Sequence, residues 1–153
     1  MNDYQLAQLN VAAMRYPLED PRFKDFVDAL DRVNARAEAS PGFVWRLKSD
    51  AGNATAIRMY DDDLLLVNLS VWESVEQLMD FVRDPEHFAI MRRRREWFEH
   101  SGVPYAVLWW VAAGHQPDVA EAQARLDQLR KAGATASAFD FKTRFPPPEA
   151  DPA

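Results

Sequence analysis

The chain of 153 residues is 48% hydrophobic and 27% charged, which suits one globular domain burying roughly 70% of its unfolded surface. A formal charge of −6 offers no overall field for nucleic acid or an anionic membrane, and zero cysteines remove disulfides, thiolate nucleophiles and cysteine-held metals. The N-terminus has no basic region and the longest apolar run, Tyr105 to Ala113, is too short to span a bilayer, so the expectation is a cytoplasmic protein with neither nucleic-acid nor membrane partners.

A first strand is expected over about Gln5–Ala13, where Ala7, Leu9 and Val11 alternate with Leu6, Gln8 and Asn10. Asp20 offers a helix N-cap with Pro21 in the first turn, and Phe23, Phe26, Val27, Leu30, Val33 and Ala37 recur at helical spacing until Ser40-Pro41-Gly42. Phe43–Lys48 alternates as a strand that should form a hairpin with Thr55–Met59 through Asp50-Ala51-Gly52-Asn53. In the next strand, Leu64–Trp72, the set Leu65, Val67, Leu69 and Val71 opposes Leu66, Asn68, Ser70 and Trp72. Ser74 and Gln77 make a capping-box pattern, Asp84-Pro85 interrupts the helix that follows, and a second helical piece is expected to end near His100-Ser101-Gly102. A long strand Val103–Ala113, a helix capped by Asp118 and closed by Gly133, and a short strand Ala138–Phe141 complete a domain over residues 1–145. Residues 146–153, rich in proline, are expected to be a disordered tail.

The order β-α-β-β-α-β followed by α-β implies an α+β, ferredoxin-like fold: an antiparallel sheet with helices on one face. The other face, assigned Leu6, Gln8, Asn10, Leu66, Asn68, Ser70 and Trp72, is too aromatic to leave in water, so a second copy is expected to cover it and enclose a mixed polar and aromatic cavity.

On that face Asn10 could donate to a developing oxyanion on a bound ketone or phenol, or simply be a satisfied buried amide. Asn68 and Ser70 either continue a polar track beside it or hydrogen-bond across the dimer. Trp72 and one of Trp109 and Trp110 are candidate walls for a planar substrate, since alternation puts the adjacent pair on opposite faces. His87 opens a helix at a place where a base could serve proton transfer, or where a structural histidine could sit. Of the run Arg92-Arg93-Arg94-Arg95, successive residues point about 100° apart, so most should pair with nearby glutamates while Arg92 could reach an anionic substrate group. The histidines lack metal-ligand spacing, and Asp61-Asp62-Asp63 lacks the ligand alternation of a calcium loop, so no metal is expected.

The stretches Asn68 to Ser74 (NLSVWES), Arg92 to Phe98 (RRRREWF), Leu108 to Pro117 (LWWVAAGHQP) and Arg125-Leu126 through Gly133 to Phe141 resemble the DUF3291 family, which is similar to dimeric α/β-barrel proteins. That group includes antibiotic biosynthesis monooxygenases needing no cofactor, haem-degrading monooxygenases and non-catalytic ligand-binding modules. Set against the haem-degrading members from Trp72-Glu73-Ser74, Asn10 matches their first-strand asparagine. Phe81 stands where they have a helical Trp, Arg92 lies near the place of their axial His, and His87 comes too early. The resemblance therefore implies a homodimeric, cofactor-independent monooxygenase using molecular oxygen on an aromatic or polyketide-like molecule. In it Asn10 and His87 would be catalytic, and Asn68, Ser70, Trp72, Trp109 and Arg92 would bind substrate. The alternative is a non-catalytic small-molecule or haem-binding protein of the same fold.

Overall fold

β1 (Tyr4–Ala13) and β3 (Leu65–Trp72) form the centre of a four-stranded sheet in the order β2-β3-β1-β4, with β2 at Phe43–Arg46 and β4 at Ala106–Ala112. All three pairings are antiparallel, and the register sets Leu6 opposite Trp72 and Trp110, and Asn10 opposite Asn68 and Ala106. The computed structural model describes residues 3–48, 59–60, 62 and 64–148. The expected Thr55–Met59 strand lies outside these except for Met59, which bridges to Asp62.

The helices begin where short polar side chains can take the N–H groups that a first turn leaves free. Asp20 caps a 3-10 turn, Pro21–Phe23, that runs into α1 (Lys24–Ala39). The Ser74 hydroxyl accepts from the Gln77 N–H at 3.2 Å to start α2 (Val75–Val82), and the Asp84 carboxylate accepts from the N–H groups of Glu86 and His87 to start α3 (Pro85–Arg92). α3 ends sooner than periodicity suggests: the chain breaks at Arg93, makes one turn as α4 (Arg94–Trp97), and bridges Phe98 to Met14. Asp118 caps α5 (Val119–Ala132), which stops at Gly133 with φ +75°. The expected last strand shrinks to a backbone exchange between Leu108 and Phe139 on the outer edge of β4. Gly42 turns the chain from α1 into β2 at φ +85°, where a Cβ would sit only 2.4 Å from the Gln77 side chain. Any other residue there would have to displace α2's first turn.

The faces of the sheet are covered differently from the expectation. The Leu6 and Trp72 side is the helix-bearing side: at one end it packs on Ala37, Val75, Leu78 and Phe139, and at the other Leu66 joins a cluster of Met14, Phe23, Phe26 and Trp97. The reverse side, Ala7, Leu9, Val67, Leu69, Val107 and Trp109, packs on Ala122, Leu126 and Leu129 of α5. Both faces thus carry helices of the chain itself, and a wholly uncovered face no longer supplies a reason for a second copy. The fold is ferredoxin-like, α+β, with α5 added on the reverse side.

Candidate functional site

Between the two helix-side clusters the sheet is polar. Asn10 and Asn68 are direct cross-strand partners, as are Gln8 and Ser70. Asn68 is exposed and Asn10 half-buried although both sit on internal strands, so the helices leave a cleft above this part of the sheet. Its floor is a continuous hydrogen-bonded track. The Trp72 indole N–H donates to Ser70 Oγ at 2.9 Å, Gln8 Nε2 donates to the same oxygen at 2.7 Å and to Asn68 Oδ1 at 3.2 Å, and Asn10 Nδ2 donates to Gln8 Oε1 at 3.1 Å. Gln8 is only 6% exposed, and a buried amide needs these partners to repay its lost hydration. Arg46, opposite Ser70 in the register, is held at 2.8 Å by Glu38.

His87 joins the track through ring contacts: its imidazole meets Phe81 edge-on at 5.1 Å, and Phe81 stacks on Trp72 at 5.4 Å. Nδ1 of His87 lies 3.0 Å from the Val82 carbonyl. A carbonyl only accepts, so Nδ1 carries the proton and Nε2 of the neutral ring keeps its lone pair. Burial pushes the imidazole pKa below its ordinary value, outweighing the opposing pull of the Val82 carbonyl and the Asp84 charge.

The expected site residues therefore separate. Asn10, Asn68, Ser70 and Trp72 come together, on the helix side of the sheet and not between two sheets. Trp72 is 1% exposed, with Phe43 against one side and Phe81 stacked on the ring, so it anchors the track and offers no open wall to a substrate. Trp109 is on the reverse face, fully buried against α5 with its indole N–H given to Glu121 at 2.9 Å, and is removed from the site. Trp110 shares the face of Asn10, but it lies at the Leu6 end and donates to the Phe145 carbonyl. Arg92 lies on the exposed side of α3 with its guanidinium 5.9 Å from the Phe88 ring, in no contact with the track. Gln8, the hub, is the residue that sequence reasoning missed; its place between Leu6 and Asn10 on one face was the available signal.

A cavity of about 510 Å³ lies at the other end of the sheet, between Tyr4, Glu73, Trp110 and the segment Arg144–Pro148, and of the candidate residues only Trp110 lines it. Among the described residues no three His, Asp or Glu side chains gather as metal ligands, and no helix is long and apolar enough to cross a membrane.

The topology defines an α+β, ferredoxin-like fold. Residues 5–153 match the family described as Domain of unknown function (DUF3291), and the chain belongs to that family. No curated protein matches it. Among solved structures, a conserved protein from Methanosarcina mazei Go1 is 8% identical with a TM-score of 0.50, over 72% of this chain and 93% of that one. SnoaB, a cofactor-independent oxygenase from Streptomyces nogalater, is 16% identical with a TM-score of 0.48, over 75% and 97%. A Caulobacter crescentus CB15 protein provisionally named an antibiotic biosynthesis monooxygenase is 12% identical with a TM-score of 0.49, over 74% and 92%. At such identities the likeness is one of fold.

Proposed function

We propose that the chain is a cofactor-independent monooxygenase acting on an aromatic or polyketide-like small molecule. The observation that carries this reading is the uncharged amide track of Asn10, Gln8 and Asn68, which opens to solvent at Asn68 in the middle of an internal strand. Amide donors of this kind favour an oxygen that gains negative charge during reaction over one that is already ionised. His87, neutral with a free Nε2, is the candidate base.

In this mechanism His87 takes a proton from a CH₂ group activated by a neighbouring phenol or ketone. The substrate oxygen gains the charge and is held by the Asn10 amide. The resulting carbanion gives its electrons to O₂ and forms a carbon-bound peroxide. Loss of the second C–H proton with cleavage of the O–O bond then gives a new C=O and water. One CH₂ and one O₂ become one C=O and one H₂O, with the substrate supplying all the electrons.

Oxygen uptake with tricyclic phenolic ketones tests the reading. The expected result is one O₂ consumed per substrate, with Asn10→Ala lowering the rate about 100-fold or more and His87→Ala lowering it less, because water can partly replace an accessible base. Binding of these compounds without oxygen uptake makes the protein a non-catalytic binder instead.

A further inference from the structure

We infer that Gln8 is a positioning residue that sets the direction of the Asn10 and Asn68 amides, so that both present N–H donors to the same cleft. The inference rests on reading the Asn10 face as the ligand site. It starts from Trp72, whose indole nitrogen can only donate, so that Ser70 Oγ must accept there. The second lone pair of Ser70 takes one N–H of Gln8, and the other N–H of Gln8 goes to Asn68 Oδ1. With both of its protons used, Gln8 turns Oε1 toward Asn10, which can meet it only with Nδ2.

The consequence for each asparagine follows from its remaining atoms. Asn68 has its oxygen occupied, so its NH₂ is the group left for the open side of the cleft. Asn10 gives up one N–H and keeps the other, with Oδ1 beside it. Direct cross-strand partners in an antiparallel pair have Cβ atoms about 5 Å apart, close enough for two amides to converge on one oxygen or on two neighbouring ones. The cleft is therefore preset to receive a ligand's oxygens through neutral donors. Gln8 achieves this without touching the ligand: it is 6% exposed and lies beside both asparagines on the same face of the sheet.

Side-chain amide hydrogen exchange by NMR of the full chain, without ligand, tests this directly. In the parent protein the engaged Asn10 N–H should exchange at least about 10-fold more slowly than either Asn68 N–H, a difference that needs no variant. Gln8→Met, similar in volume, should abolish the Asn10 protection while the Trp109 indole signal stays unchanged, as the reverse face is untouched. Gln8→Glu, which in its ionised form can only accept, should keep Asn10 protected and should make the Asn68 amide turn, so that an Asn68 N–H becomes protected as well. Equal exchange at Asn10 and Asn68 in the parent, or Asn68 unaffected by Gln8→Glu, overturns the inference. Failure of oxygen uptake with every substrate would refute the oxygenase reading and leave these exchange rates standing, so the two failures are distinguishable.

Discussion

Replacing Ser70 with alanine removes a single oxygen that accepts two hydrogen bonds inside the fold. The Trp72 indole N–H, on a side chain 1% exposed, loses its only acceptor among the described residues, whereas Gln8 Nε2 loses its 2.7 Å bond but keeps Asn68 at 3.2 Å. A buried donor left unpaired costs about 1–3 kcal/mol, so one full loss and one partial loss predict a destabilisation of about 2–3 kcal/mol. Urea unfolding followed by far-UV circular dichroism measures this independently of tryptophan fluorescence. In a Trp72→Phe background the indole donor is already gone, and Ser70→Ala should there cost about 1 kcal/mol less. If Ser70→Ala lies within about 0.5 kcal/mol of the parent, or shows no coupling to Trp72→Phe, the track is not a set of obligatory buried bonds and the argument built on it fails.

Burial holds the His87 imidazole below its ordinary pKa of 6.5, so the unfolded chain binds that proton first as pH falls. His87 should therefore lower stability progressively as pH drops through 6.5 toward its folded value, and urea midpoints between pH 7.5 and 5.5 should flatten in His87→Gln. At Asp84, which both caps α3 and pairs with Arg36, Asp84→Ala should cost about 1–2 kcal/mol. Asp84→Asn, which keeps a capping oxygen, should cost about 0.5 kcal/mol in the same denaturation assay; equal losses would place the energy in the ion pair and not in the cap. Leu126, fully buried beneath the reverse face, should cost about 2–5 kcal/mol as Leu126→Ala, and a smaller loss by calorimetry would mean that α5 packs loosely on the sheet.

Local features were the legible ones. Asp20, Ser74 and Asp118 act within three residues of themselves, so their capping could be recognised from residue type and spacing, and each is seen in the structure. Alternation likewise separated Asn10, Asn68, Ser70 and Trp72 from Val67 and Leu69, but it left open which of Trp109 and Trp110 shares their face, and Trp109 was expected there wrongly. It could not say which layer covers which set, because Leu6 and Trp72 are as apolar as Leu9 and Val71 and several amphipathic helices compete for both sides. That ambiguity reversed the faces. It placed the cleft between two copies when it lies between the sheet and the chain's own helices. The Gln8 hub was hidden for a related reason, since its partners lie 60 and 62 residues away and are fixed only by strand register. Trp72 failed as a substrate wall because Phe43 and Phe81, remote in sequence, already fill its surroundings.

The placement of α5 has a thermodynamic consequence. A sheet face closed by another molecule gains its burial through association, so its melting temperature rises with protein concentration. Here Ala122, Leu126 and Leu129 arrive on the same chain as the strands they cover, tied to β4 through the short connection from Ala113 to Asp118. Closure of this core is a first-order event, and it survives dilution.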